Sequence, residues 1–516
     1  MRIADYFDVT AARVPDREVF LDDTQRVDYA TAQRLVHAVA HGLTRAPGLG
    51  AGAHVGVYSP NSATVSMLQL GINRADCVWV LVHTRNTAET NAKVLAYADT
   101  RLVFFHSAFE GQVEAMRPAL PTDLEWVCID RPSKLGPALD EWLEGCWKPF
   151  DAFREDPMAT AYIAPTGGTT GPNKAVMQTH RSAEIGVFLV GNTLGMTEES
   201  RHLVIAPLTH AAGIFALALT VNGGANVILP GFDLERVLAL IASERISHVY
   251  LPATAVYALL DHPATRKTDL SSLRCVLVGG SPIAPSRFRE AIERFGPVLY
   301  EMYGQTESMM ITLKRPPDYL LADGSLDDAV VRATGRAAPF VRAEIVDENG
   351  RILPAGSPGE IAILSSMTME GYYEMPDETA EVSRGGWHHT GDVGVRDARG
   401  YITLIDRLRD VIISGGLNIY PSEIEDVICE LPEVRDCSVI GVPDETWGER
   451  VMAVITLKQG RTLSAEAVVA HCEPRLGSLK QPRAIEFWDE LPRSPVGKVL
   501  KREIRRRFWA GRERAV

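Results

Sequence analysis

Between about residues 30 and 110 the apolar positions change period. Leu35, Val36, Val39, Ala40 and Leu43 recur at helical spacing, and His54 to Tyr58 and Leu102 to Phe105 then form short runs that read as strands. That alternation predicts a parallel α/β layer, and no chemistry stands out in it. Further along, Leu203 to His210 reads as a strand that ends in a histidine. Asn226 to Leu229, His248 to Leu251 and Cys275 to Val278 predict three more strands, with a Leu-rich helix between the last two. Asp233 to Ile246 predicts an amphipathic helix with Leu234, Val237, Leu238 and Ile241 on one face. Glu360 to Leu364 predicts a strand and Gly371-Tyr372-Tyr373 a turn. Past residue 420, Ile424, Val427, Ile428 and Leu431 predict a helix begun by Pro421. Strands at Ser438 to Val442 and Val451 to Leu457 and another helix complete a small α/β unit.

Length and charge narrow this picture. The chain has 516 residues, more than one core usually serves, so two or more domains are expected. A formal charge of −13 argues against nucleic acid as the main partner, so an anionic substrate must meet locally basic sites. Seven cysteines (Cys77, Cys128, Cys146, Cys275, Cys429, Cys437, Cys472) are scattered without a Cys-x-x-Cys pair, which disfavours a disulfide framework and a structural zinc site. The amino terminus carries no apolar run of signal-peptide length and no membrane span is evident, so a reducing cytoplasm is the expected location.

The densest candidate chemistry follows an apolar run that ends in Pro165. Thr166, Gly167, Gly168, Thr169, Thr170 and Gly171 put three glycines and three hydroxyls into six positions, with Lys174 close behind. Glycines let backbone N–H groups turn toward an anion, hydroxyls add donors, and the lysine supplies mobile positive charge; this suits phosphate. No Gly-Lys-Ser/Thr closes the stretch, so it is not a Walker A loop. Gly279-Gly280-Ser281-Pro282 follows a strand, where glycines serve either a plain turn to a helix or the close approach of a flat ligand. The adjacent His388 and His389 suggest a metal, but no third ligand has a sensible spacing and neighbouring side chains diverge.

The 166–176 stretch resembles the phosphate loop of the adenylate-forming superfamily, which holds acyl-CoA and aryl-CoA synthetases, adenylation domains and luciferases. It departs from the usual Thr-Ser-Gly-Thr-Thr-Gly-x-Pro-Lys-Gly at Gly167, at Pro172-Asn173 and at Ala175. Other segments match in the family's order. Pro207, Leu208, His210 and Gly213 fit a segment beside the acyl site, and Tyr303-Gly304-Gln305-Thr306-Glu307 fits Tyr-Gly-x-Thr-Glu, a stretch that on its own could cap a helix. Thr390-Gly391-Asp392, Arg407 and the ending Pro492-Arg493…Gly497-Lys498 fit three more.

The resemblance implies roles. Thr166 to Gly171 and Lys174 would hold phosphates, Tyr303 beside Gly304 would stack on adenine, and Thr306 would donate to the α-phosphate. Glu307 would hold Mg²⁺, and Gly280 and Ser281 would border the acyl pocket and the adenine. Asp392 and Arg407 would hold the ribose, His210 would border the carboxylate, and Lys498 would neutralise charge as the carboxylate attacks. Arg409 stands where relatives swivel, and Gly415 and Gly416 where they admit the pantetheine arm. The implied fold is α/β: a large N-terminal multi-subdomain α/β domain over 1–407 with the ATP and acyl sites, and a small mobile C-terminal α+β domain over 408–516 with the catalytic lysine.

The expected reaction is ATP-dependent activation of a hydrophobic carboxylic acid, then thioester formation with coenzyme A, releasing AMP and pyrophosphate. A free-standing enzyme that loads an acyl carrier protein, a luciferase-like oxygenase and a non-catalytic nucleotide-binding relative are the alternatives. ATP, Mg²⁺ and coenzyme A are the expected small partners, and a homodimer is one assembly the sequence leaves open. Ala211, Ala212, Gly213, Ala253, Gly280, Met309 and Met310 suggest a pliable apolar acid pocket.

Overall fold

A computed structural model describes residues 1–152, 156–165, 174–493 and 499–509. The expected phosphate-loop residues Thr166, Gly167, Gly168, Thr169, Thr170 and Gly171, the departures Pro172 and Asn173, and Lys498 therefore lie outside the described residues. Contacts divide the chain into two compact units. One takes in the described residues up to 342 together with Leu364–Glu381, the other Ala343–Ile363 and the described residues from 382 on. This is a different division from the expected domains 1–407 and 408–516, and it leaves that boundary an expectation.

The first unit holds a seven-stranded sheet in the order Gly371–Tyr372, Ala175–Thr179, Thr160–Pro165, Val78–Leu81, His54–Tyr58, Leu102–Phe105, Glu125–Cys128. The last five run parallel to one another, Ala175–Thr179 runs antiparallel to them, and Gly371–Tyr372 pairs antiparallel to Ala175–Thr179. His54–Tyr58 and Leu102–Phe105 occur where the apolar runs predicted them, because a strand covered on both faces is apolar throughout. A second parallel run in this unit orders Leu299–Gln305, Cys275–Val278, His248–Leu251, Arg201–Val204, Ala225–Ile228 and Glu18–Leu21. One core joins the two sheets through helices Ile3–Arg13, Tyr29–Arg45, Ala63–Arg74, His180–Thr193 and Ala211–Val221.

Three expectations are corrected. The helix predicted over 233–246 runs only Leu234–Ser243; Asp233 caps it and Arg245, at φ +49°, turns the chain out. The strand before His210 ends at Val204, and the apolar run continues as loop. Gly371-Tyr372 is a short strand rather than a turn, antiparallel to Ala175–Thr179.

In the second unit, Trp387–Arg396 and Tyr401–Arg407 form an antiparallel pair, and Pro358–Ser365 pairs with the first of them. A five-stranded sheet follows: Leu417–Ile419, Ile412–Ser414, Gly448–Leu457, Val434–Asp444, with Ala484–Phe487 parallel to Gly448–Leu457. Helices Pro421–Cys429 and Ala465–Lys480 bury Ile424, Ile428, Val468 and Cys472 against it. Among the described residues no helix is long and apolar enough to cross a membrane.

Candidate active site

The Tyr-Gly-x-Thr-Glu segment is a hairpin corner and not a helix cap. Tyr303 and Gly304 lie on strand Leu299–Gln305, which turns through Thr306, Glu307 and Ser308 into Met309–Lys314. The register shifts between Tyr303 and Gly304, and a Cβ on Gly304 would sit 1.7 Å from the Met309 carbonyl oxygen, so only glycine fits. Met309 carries a left-handed φ of +55°, uncommon for a non-glycine residue.

The corner is held from outside. Gln178 Nε2 donates to the Thr306 carbonyl (2.9 Å), and the Met369 amide donates to that of Glu307 (2.7 Å). The Tyr372 hydroxyl donates to Glu307 Oε1 (3.0 Å). Burial first, then the Glu307 charge and this bond, push the Tyr372 phenol far up, so it stays a donor at any ordinary pH. Lys174 Nζ lies 4.6 Å from the centre of the same ring. The short strand Gly371–Tyr372 thus ties Lys174, where the chain leaves the Thr/Gly stretch, to Glu307.

His210 is exposed and stands at the N-cap of helix Ala211–Val221, where its carbonyl accepts from the Gly213 amide (2.9 Å). A Cβ on Gly213 would meet the Leu208 oxygen at 2.2 Å, which fixes glycine at this bend. Asn61 braces the approach, donating to the Ala206 carbonyl and accepting from the Leu208 amide, each at 2.9 Å. The His210 ring packs edge to face on that of His83, centroids 4.9 Å apart. His83 comes from the region where the sequence showed no chemistry; a polar ring just past the apolar strand Val78–Leu81 was the available signal. Burial first, then His210 and Arg85, bring its pKa down to about 4.

The surroundings of the residues expected to border the acyl group are apolar. Phe215 stacks on Tyr250 (5.2 Å), whose phenol burial pushes up to about 12. Cβ atoms on Gly279 and Gly280 would lie 3.1 Å and 3.3 Å from the Tyr250 ring and hydroxyl, and one on Gly279 would lie 2.8 Å from Met302. One on Gly186 would touch the Met309 sulfur at 2.5 Å. Gly280 and the neighbouring Ser281 thus follow strand Cys275–Val278 where Tyr250 reaches the turn. Ala212, Ala253 and Met310 are buried in the core, so Met309 is the more available of the two methionines.

In the second unit Asp392, buried, faces Arg407 across the strand pair, Oδ1 to Nε 3.6 Å. Glu360 supports the bend before it, accepting from the Gly391 amide (3.0 Å) and meeting His389 Nδ1 (2.8 Å). His388 is buried, makes no hydrogen bond through either ring nitrogen among the described residues, and is pushed down to about 4, chiefly by burial. Arg409 sits in the turn Leu408–Asp410; burial and then Arg407 lower its pKa. Asp410 is paired with Arg505 (2.6 Å), which with Lys501 outweighs burial and keeps the carboxyl ionised. Gly415 and Gly416, at φ +59° and +80°, form the two-residue turn between Ile412–Ser414 and Leu417–Ile419. The Gly415 amide donates to the Trp447 carbonyl (2.9 Å), and a Cβ there would meet the Trp447 ring at 2.6 Å.

The AMP-binding enzyme family profile matches residues 7–373, and that of the AMP-binding enzyme C-terminal domain matches 423–498. The chain belongs to the AMP-binding enzyme family. It is an adenylate-forming enzyme by descent, and the segments that resemble that superfamily, from the Thr/Gly stretch to Lys498, belong to one of its members. A medium/long-chain-fatty-acid–CoA ligase of Mycobacterium tuberculosis is 33% identical over 96% of this chain and 88% of its own length. A fatty acid–[acyl-carrier-protein] ligase of Streptomyces coeruleorubidus is 32% identical over 98% and 96%. Among solved structures, an amide bond synthetase from Marinactinospora thermotolerans superposes with a TM-score of 0.88 at 32% identity, covering 98% of this chain and all of that one. The AMP-binding enzyme described here thus shares the large N-terminal and small C-terminal domain plan of its relatives.

Proposed function

We propose that this AMP-binding enzyme activates a hydrophobic monocarboxylic acid with ATP and transfers the acyl group to coenzyme A. The observation that carries the reading is the Glu307 carboxylate, fixed by Tyr372 beside Lys174 at the exit of the Thr/Gly stretch. A carboxylate is a poor acyl donor because oxide would have to leave. Attack of its oxygen on the α-phosphorus of ATP breaks the bond to pyrophosphate and converts that oxygen into part of AMP, a good leaving group. Thiolate attack on the acyl carbon then expels AMP. In this scheme Lys174 and the loop residues bind phosphate oxygens, Thr306 donates to the α-phosphate, and Tyr303 stacks on adenine. Asp392 accepts from the ribose hydroxyls, and Arg407 binds ribose and phosphate. Lys498 neutralises charge at the attack, Arg409 is the hinge, and Gly415-Gly416 lets the thiol arm pass.

Glu307 suits Mg²⁺. Such ions take one or two carboxylates, substrate phosphates and retained water, and the Tyr372 bond to one oxygen orders the carboxylate for that task. When bound, the ion would neutralise phosphate charge.

The acid is assigned as a medium or bulky hydrophobic one because Tyr250, Met302 and Met309 are half-buried aromatic and thioether side chains near the residues expected to border the acid. The fatty-acid ligases among the relatives point the same way. An acyl carrier protein as acceptor is the second reading, favoured by the Streptomyces relative.

The test is coenzyme A-dependent AMP formation across acids from acetate to long-chain, aromatic and polycyclic ones, with Lys498→Ala alongside. Turnover on one hydrophobic group, lost in the variant, is expected. Pyrophosphate release without coenzyme A dependence would support the carrier protein instead. Preference for acetate or malonate would overturn the substrate class, and silence across the panel the whole reading.

A further inference from the structure

His83 stands outside every motif used above. Its Nδ1 accepts from the Arg85 amide (3.0 Å), which puts the proton on Nε2. That Nε2–H is a buried donor with no acceptor among the described residues, in a side chain only 9% exposed. A buried donor left without a partner carries a desolvation cost, and native proteins rarely retain one where nothing binds.

The place it occupies is equally specific. Strands Val78–Leu81 and Thr160–Pro165 pair in parallel, so their carboxyl ends lie side by side. His83 follows the first by two residues, and the chain enters the Thr166–Gly171 stretch directly after the second. On its other side the His83 ring packs against His210, at the N-terminus of helix Ala211–Val221. Ligands of parallel α/β sheets bind at the carboxyl ends of strands, and helix N-termini favour anions.

We propose that His83 is a positioning residue for the acid. Its Nε2–H donates to the carboxylate oxygen that does not attack and that becomes the carbonyl oxygen of the adenylate, while His210 packs beside the same group. No proton leaves His83: the other carboxylate oxygen forms the new bond to phosphorus and pyrophosphate carries away the electron pair. A neutral donor suits this task, since it orients the carboxylate without neutralising its negative charge. The inference rests on the acyl-activating reading given above.

Two variants separate the donor from the turn it stabilises. In His83→Asn the side-chain oxygen can still accept from the Arg85 amide, as asparagine does in such turns, but the donor no longer reaches. In His83→Gln an amide N–H reaches about as far as Nε2. ATP–pyrophosphate exchange is measured first on the wild type, with the best acid of the panel. His83→Asn is expected to raise the KM for the acid by roughly 10-fold to 100-fold, the worth of one hydrogen bond to a charged group, with the KM for ATP within about twofold. His83→Gln should recover part of the loss. An unchanged KM for the acid, or a rise for ATP in step with it, overturns the assignment.

Should neither variant fold, wild-type protein labelled with ¹⁵N-histidine and saturated with an unreactive acyl-sulfamoyl adenosine gives the answer. A downfield move of the His83 Nε2–H signal supports the bond, and an unmoved signal refutes it. A wild type silent toward every acid marks the failure of the proposed function before any variant is made, and this inference falls with it.

Discussion

Replacing Tyr372 by phenylalanine removes one atom from the site and leaves its framework in place. The ring that Lys174 covers at 4.6 Å is kept, so the cation–π contact survives and only the hydrogen bond to Glu307 Oε1 is lost. A hydrogen bond to a charged group contributes about 1.5–3 kcal/mol, and because Glu307 is only partly buried the lower end applies. About 1.5 kcal/mol corresponds to roughly tenfold in an equilibrium or rate constant. On the proposed role of Glu307 the consequence falls on the ion: without Tyr372 the carboxylate would have to be ordered each time Mg²⁺ and the phosphates bind. In ATP–pyrophosphate exchange titrated with Mg²⁺, the half-saturating Mg²⁺ concentration should rise about tenfold, with kcat at saturating Mg²⁺ much less affected. The thermal midpoint should move by only a few degrees, since the ring still fills its place. An Mg²⁺ response within twofold of the wild type would show that the bond does not orient the carboxylate for the ion.

The remaining predictions concern the turn of the smaller unit and pH. Gly415→Ala places a methyl 2.6 Å from the Trp447 ring at a φ of +59°, and should cost about 1–2 kcal/mol in denaturant unfolding. It should slow thioester formation more than adenylate formation, and equal slowing of both would remove these glycines from the acyl-transfer step. His83, His202 and His388 are each held down to about 4, mainly by burial. Their unfolded value is about 6.5, so below it the unfolded chain binds more protons. Their contribution is complete above pH 6.5 and is lost as pH falls toward 4, by about 2 kcal/mol per histidine at pH 5. Equilibrium unfolding at pH 7 and pH 5 checks this, and a difference under about 1 kcal/mol would contradict it.

What could be read in the sequence was what local pattern alone determines. Cys275–Val278 and His248–Leu251 occur at the predicted residues because a short, largely apolar run that ends in a proline or glycine has few other uses. The misreadings have two physical origins. Pro207 and Leu208 extend the apolar run beyond Val204, so periodicity could not show that the strand stops and that His210 opens a helix. Gly371-Tyr372 became a strand through a partner almost two hundred residues earlier, which no local signal announces. His83 was passed over for the same reason: its meaning lies in His210 and in the strand neighbouring its own. The roles proposed for Glu307, Asp392 and Lys498 rest on motif resemblance, whereas Tyr372 as the partner of Glu307 needed the fold.

The late strand also bears on how the protein is made. Until Gly371–Tyr372 arrives, Ala175–Thr179 is the edge of its sheet, with a row of unpaired N–H and C=O groups facing outward. At ribosomal rates of about 5–20 residues per second, the intervening stretch takes roughly 10–40 s to emerge. For that interval the nascent chain carries an open sheet edge and no partner for Glu307. The corner around Glu307 is therefore among the last parts of the larger unit to be completed, and a chaperone bound there would be guarding the proposed catalytic centre before it exists.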